Sequence, residues 1–460
     1  MKKYYLLLIV VMMCCEKSIA QSNCYSVQLK YKQGTPFSIS NPSAFLSQRA
    51  IERRLKYNIA IDSSDLPCTP GYIDSIKLAG AVNILHTSKW LNQVTIQTAD
   101  ENVIKKIKSF PFVSGVLLIA SPLVNATNKI MDKPSQILSQ QKVLSEQSVN
   151  DFFSYGQSFN QIHIHNGEFL HNHGFRGEGK HVCITDGGFA KYDTAPALDS
   201  ARNNNQILAT WDFVANNINF ADNFTTHGTN CFSLIGGNIP GTFVGTAPKA
   251  SFYLYRTEDA FSEMPIEEQN WVAAAEKADQ LGVDVISVSL GYTTFDNPAF
   301  NHTYNDMNGN TTVISKAADL AAKKGMIVVV SAGNSGNDAW HFISAPADAD
   351  SVLTVGAVNA AGQIANFSSF GPSSDGQVKP DAASVGANTI IPNPVTGDPF
   401  SGNGTSYACP NLAGLTTCLW QAFPEVHNMG IITAIQQSSN KFNTPDDRTG
   451  YGIPDMKKHL

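Results

Sequence analysis

The last two thirds of the chain carry short apolar runs that are continuous rather than alternating, at residues 181–185, 251–256, 283–290, 326–331 and 352–358. A strand apolar on both faces is covered on both sides, whereas a half-exposed strand alternates. Between these runs, residues 267–281 and 313–324 place apolar side chains at three- and four-residue steps, the spacing of a helix with one buried stripe. Strands and helices alternating in this way predict an α/β fold, a doubly wound parallel sheet with helices on both faces.

Ahead of that unit the pattern is mixed. Alternation at 25–29, 90–96 and 113–119 predicts strands, and residues 49–55 and 101–107 predict helices, together a small α+β unit over 21–121. The tract that follows is rich in Gln, Ser, Asn and Lys, and buries too little apolar surface to offset its conformational entropy. Residues 122–155 are therefore expected to be a linker and a natural place for proteolytic maturation, with the second unit at 156–460. At the start, Lys2 and Lys3 precede an apolar run at 4–13, with Ser18 and Ala20 at small positions before a cut. Residues 1–20 read as a secretory signal peptide, because that run is shorter than the roughly 20 residues a membrane helix needs. The expected product is secreted or periplasmic and has no membrane span once the signal is removed.

Composition narrows the partners. A net charge of −6 over 460 residues, with no Lys/Arg cluster interleaved with aromatics, excludes nucleic acid and anionic membrane surfaces as expected ligands. Six cysteines remain after the leader, too few for a disulfide scaffold. Cys24 and Cys68 share the N-terminal unit and either pair or stay free, while Cys183, Cys231, Cys409 and Cys418 sit in apolar patterns and read as small buried hydrophobes. No Cys-x-x-Cys or His-x-x-x-His pair suggests zinc.

Four segments carry candidate chemistry. Asp186, in Ile184-Thr185-Asp186-Gly187-Gly188, closes an apolar strand where a side chain reaches the crevice at the carboxyl end of a parallel sheet. His227, in Thr226-His227-Gly228-Thr229, opens a predicted helix, so its backbone is fixed while its ring stands at the rim. Ser406, in Gly404-Thr405-Ser406-Tyr407-Ala408-Cys409-Pro410, stands where a tight turn becomes a helix, with Pro410 expected within the first turn. The unpaired N–H groups and partial positive charge of such a helix start suit a developing oxyanion. Asn334, in Ser331-Ala332-Gly333-Asn334-Ser335-Gly336, lies between the histidine and the serine in the chain.

In this order the four motifs resemble those of the subtilisin-like serine proteases, the subtilase family, over about residues 174–455. The resemblance implies a subtilisin-like fold and a serine endopeptidase. Ser406 is then the nucleophile, His227 the general base and Asp186 its orienting carboxylate. Asn334 and the Ser406 N–H are the implied oxyanion donors. It also implies that Ser289, Leu290 and Gly291 bind an extended polypeptide substrate beside a pocket whose other wall is Ser331, Ala332 and Gly333. The pocket floor falls within 337–345, where Trp340, His341 and Phe342 are candidates to narrow it. The N-terminal unit resembles the family's propeptides, which block the site as intramolecular inhibitors. The chain departs from the family's pattern at Gly187, where a hydroxyl residue is usual, at Asn230 and Ser233, where His and Gly are common, and at Tyr407, where Met is usual, while Cys231 resembles the thiol beneath the histidine in proteinase-K-like members. The loop after the His227 helix, residues 238–242, has no carboxylate, and residues 306–310 lack the acidic residue a calcium loop needs, so no metal and no cofactor is expected. The other reading is a secreted binding protein on an inactive form of this fold, against which the retention of all four motif residues argues.

Overall fold

The computed structural model describes residues 22–121, 147–218 and 225–458. The expected signal peptide and most of the expected linker lie outside the described residues.

The N-terminal unit is a four-stranded antiparallel sheet in the order Asn83–Ser88, Gln93–Thr98, Asn23–Leu29, Val113–Ala120. Helices Gln48–Lys56, Pro70–Lys77 and Glu101–Lys108 accompany it. Val27, Val94, Ile96, Ile76, Val103 and Ile107 form its core, the strands supplying alternate residues and the helices one stripe each. The sequence pattern misses two elements. Pro70–Lys77 opens on a proline, which is at home in the first turn of a helix, where its missing N–H has no partner to lose. Asn83–Ser88 is an edge strand, half-exposed along most of its length, so its alternation is weak. Cys24 and Cys68 are both buried free thiols, so the pairing that the sequence left open does not form. The Cys68 thiol donates to the Ser88 carbonyl at 3.1 Å.

The larger unit is a seven-stranded sheet in the order Ala382–Val385, Leu353–Val358, Ile327–Ser331, Val285–Val288, His181–Asp186, Ser251–Arg256, Ile207–Asp212, with every adjacent pair parallel. Both faces are covered, as the continuous apolar runs require. Ile327 and Val329 enter the core shared with helices His227–Gly236 and Thr405–Ala422. Val328 and Val330 enter the one shared with Ile266–Leu281 and Val313–Lys323. The two edge strands, Ile207–Asp212 and Ala382–Val385, are absent from the sequence-predicted set: the first is partly exposed and the second is four residues of mostly small side chains. No helix among the described residues is long and apolar enough to cross a membrane.

Strand order sets the place of the site. The next two strands of this sheet in the chain, Ile207–Asp212 and Ser251–Arg256, fill one side of His181–Asp186, and the chain then crosses to build the other side from Val285–Val288 outward. The crevice at a doubly wound sheet's switch point opens beyond the carboxyl ends of such a neighbouring pair. Asp186 and Ser289 stand at those two ends.

The N-terminal unit docks on helix Ile266–Leu281. The Glu276 carboxylate accepts from the Ser88 hydroxyl and from the Lys89 and Trp90 backbone N–H groups at 2.5, 2.8 and 3.0 Å. Arg53 and Arg54 reach Asp279 at 2.6 and 2.8 Å, Arg54 also pairs with Asp65, and Lys324 meets Asp65 at 2.7 Å, all with side chains almost wholly buried. Charges so deep in an interface are tolerated only because each has a partner.

Candidate active site

Asp186 is fully buried at its strand end and accepts the N–H of Gly187 at 2.8 Å. The hydroxyl that Gly187 lacks is thus replaced by the residue's own backbone donor. His227 is the first residue of its helix, with its N–H held by the Thr225 hydroxyl at 3.1 Å. Its Nδ1 lies 3.0 and 2.8 Å from the two Asp186 oxygens. A carboxylate only accepts, so Nδ1 carries the proton and donates, leaving Nε2 as the basic nitrogen. Gly228 permits this approach: a Cβ there would stand 2.5 Å from the Gly188 carbonyl oxygen and 2.8 Å from the Asp186 Cβ.

Ser406 is the second residue of helix Thr405–Ala422, and its hydroxyl donates to the Ser289 carbonyl at 3.4 Å. Pro410 is the sixth residue of that helix, beyond the first turn where the sequence placed it. Lacking an N–H, it leaves the carbonyl four residues earlier without its helical donor, and that carbonyl is the one on Ser406. Two side chains take it up, the Ser289 hydroxyl at 2.9 Å and the Cys231 thiol at 3.4 Å. The Cys231 sulfur also lies 3.9 Å from His227 Nδ1, and burial raises the thiol's pKa, keeping it protonated as a donor. Asp186, His227 and Cys231 are the one group among the described residues spaced closely enough to hold a metal ion. The His227 Nδ1 is already taken by the Asp186 carboxylate, and the Cys231 thiol by the Ser406 carbonyl. The ring of Tyr407, in place of the usual Met, lies 5.8 Å from that of His227.

Asn334 is half-buried on the loop after strand Ile327–Ser331. Its Oδ1 accepts both the backbone N–H and the hydroxyl of Thr405, at 2.8 and 3.0 Å. With the oxygen so engaged, the Asn334 NH2 group is turned away from Thr405, and its residue lines the same cavity as Ser406. Thr405 is fully buried, and its hydroxyl also accepts the Gly333 N–H at 3.2 Å. The sequence reading gave Thr405 no part. A hydroxyl residue next to Ser406 was the available signal.

One cleft of about 210 Å³ joins His227, Ser406 and Asn334 to Ser289, Leu290, Gly291, Ser331 and Gly333. Ala332 does not line it: that side chain is fully buried in the sheet core. Nor does Trp340, His341 or Phe342. The Trp340 indole N–H donates to the Ile343 carbonyl at 3.2 Å, Phe342 stacks on Tyr304 at 3.9 Å, and His341 lies against Phe370. Ser344 takes the place those aromatics were expected to fill, and Glu258 and Thr293 complete the rim.

Residues 177–452 match the model of the subtilase family, and residues 24–142 match the peptidase S8 propeptide domain of Bacteroidota. The chain is 25% identical over 409 residues to the thermostable alkaline protease of Halalkalibacterium halodurans, covering 88% of this chain and 91% of that protein. Subtilisin NAT of Bacillus subtilis subsp. natto is 26% identical over 273 residues, which cover 59% of this chain and 63% of that protein. The chain thus spans less than two thirds of that relative's length. Among solved structures, MycP1 with its N-terminal propeptide removed aligns with a TM-score of 0.50 at 23% identity, over 65% of this chain and 94% of that one. The seven-stranded parallel sheet and a family match over most of its second unit agree: this chain belongs to the subtilase family.

Proposed function

We propose that the protein is a secreted serine endopeptidase working through Asp186, His227 and Ser406, made with an N-terminal unit that inhibits it. The observation that carries this reading is the fixed His227 tautomer, Nδ1 on the buried Asp186 carboxylate, in the same cleft as Ser406 and Asn334. The Ser406 Oγ attacks the scissile carbonyl carbon as its proton passes to His227 Nε2. The carbonyl oxygen becomes an oxyanion, met by the Asn334 amide and the Ser406 N–H. Collapse breaks the C–N bond, His227 gives its proton to the leaving amine, and an ester on Ser406 remains. Water, deprotonated by the same imidazole, then cleaves the ester and restores the enzyme.

Similarity to the family's propeptide domain and the seat on helix Ile266–Leu281 support the inhibitor role of residues 21–121. Cleavage in the 122–155 linker then yields the mature enzyme. A fluorophosphonate probe, which bonds only to an activated serine, tests the reading directly. The wild type should label, and Ser406→Ala should not. That variant should also lose turnover by about 2 × 10⁶, the loss such a change causes in subtilisin, and keep its N-terminus near Gln21. A Ser406→Ala preparation that cleaves peptide normally would end the assignment.

A further inference from the structure

We infer that this protease selects a small residue, glycine, alanine or serine, immediately before the scissile bond, because Ser344 closes its specificity pocket. The inference rests on the proposed endopeptidase reading and deepens it.

The cleft beside Ser406 has two walls, Ser289 to Gly291 and Ser331 to Gly333, and each contributes a glycine to its lining. Glycine in such a position normally leaves a slot for the substrate's side chain. Here the slot is already filled. A Cβ built on Gly291 would stand 2.1 Å from the Ser344 Oγ, and one built on Gly333 would stand 3.1 Å from the same atom and 2.9 Å from the Ser369 Oγ. One hydroxyl thus stands where the two walls converge, and a flat ring or branched chain entering between the glycines meets it.

The floor cannot drop to make room. The Ser344 N–H donates to the Ala332 carbonyl of one wall at 3.3 Å, and the Tyr292 N–H that follows the other wall donates to the Ala345 carbonyl at 2.8 Å. The Ala345 N–H returns a bond to the Tyr292 carbonyl at 3.2 Å. Ser344 is therefore held by backbone on both sides, and packing a larger group against so fixed a surface forces strain elsewhere. Fully buried neighbours, Tyr292, Ala345 and Ile343, leave no softer direction.

The test is a series of peptides differing only at the residue before the cut, Gly, Ala, Ser, Leu, Phe or Lys, given to the expressed protein in its own matured form. Alanine and serine should exceed leucine, phenylalanine and lysine in kcat/KM by at least about tenfold, the scale on which one or two excess methylenes are rejected by a rigid pocket. Ser344→Gly should lower the alanine-to-phenylalanine ratio by about tenfold or more, and Ser344→Thr should shift preference from alanine towards glycine. Fluorophosphonate labelling runs beside each assay, since it needs Ser406 but not a filled pocket. Protein that labels yet cleaves the phenylalanine or lysine peptide as fast as alanine overturns the pocket inference and leaves the endopeptidase reading standing. Protein that neither labels nor cleaves any peptide overturns both.

Discussion

Thr405 holds Asn334 through a single oxygen, its N–H at 2.8 Å and its hydroxyl at 3.0 Å both donating to Oδ1. The residue beside Ser406 thereby decides which end of the amide faces the cleft. Thr405→Val keeps the backbone bond and loses the hydroxyl, so kcat should fall about tenfold with KM nearly unchanged, the worth of one buried hydrogen bond. Thr405→Ser should restore the rate. Steady-state kinetics on the three proteins check it, and a fall in KM-linked binding alone would assign Thr405 to the fold rather than to Asn334.

Removing the amide itself should cost more. Asn334→Ala should lower kcat by about 10²–10³-fold, as loss of the oxyanion-hole asparagine does in subtilisin, and leave KM close to the wild-type value. An unchanged kcat with a raised KM would make Asn334 a substrate-binding or turn residue.

The grip of the N-terminal unit should depend on Arg53, which pairs with Asp279 and reaches the Val283 carbonyl. Arg53→Ala in the separately added unit should weaken inhibition of the mature enzyme on the order of a hundredfold, because a buried carboxylate loses one partner. Titration against a peptide substrate measures this. Equal potency of the two units would place the inhibitory contact elsewhere.

A pH effect follows from His302, whose Nε2 lies 2.7 Å from the buried Glu268 carboxylate. Burial pulls the imidazole down, but the Glu268 hydrogen bond and charge outweigh it and raise the pKa above 6.5. A raised histidine contributes stability that is full below 6.5 and fades as pH rises through the raised value. His302→Gln should therefore cost about 1–2 kcal/mol at low pH, with the gap from wild type narrowing as the solution turns alkaline. Denaturant unfolding at several pH values reads it; a gap that widens with pH would reverse the sign.

What the sequence made legible was local. Each of the four motifs is a contiguous segment whose shape follows from its own residues, a strand end, a helix start or a glycine-lined turn, and the continuous apolar runs locate five of the seven parallel strands. What stayed hidden depends on pairs far apart in the chain. Thr405 and Asn334 are separated by 71 positions, and nothing in either segment announces their bond. Ser344 is inconspicuous until Gly291 and Gly333 are seen to converge on it. The aromatics at 340–342 looked bulky enough to narrow the pocket, but Phe342 packs on Tyr304, His341 lies against Phe370 and the Trp340 indole N–H is held by the Ile343 carbonyl, which takes all three rings away from the cleft.

The carbonyl that Pro410 leaves open has a mechanical consequence. Because it is shared by Ser289 from one strand exit and Cys231 from the histidine helix, three separate pieces of the chain meet on the peptide plane of Ser406 and brace one another. None of them can loosen alone without dragging Ser406 with it. On heating, the site should therefore hold until the whole unit gives way, so that the loss of activity and the loss of tertiary structure fall on one curve rather than two.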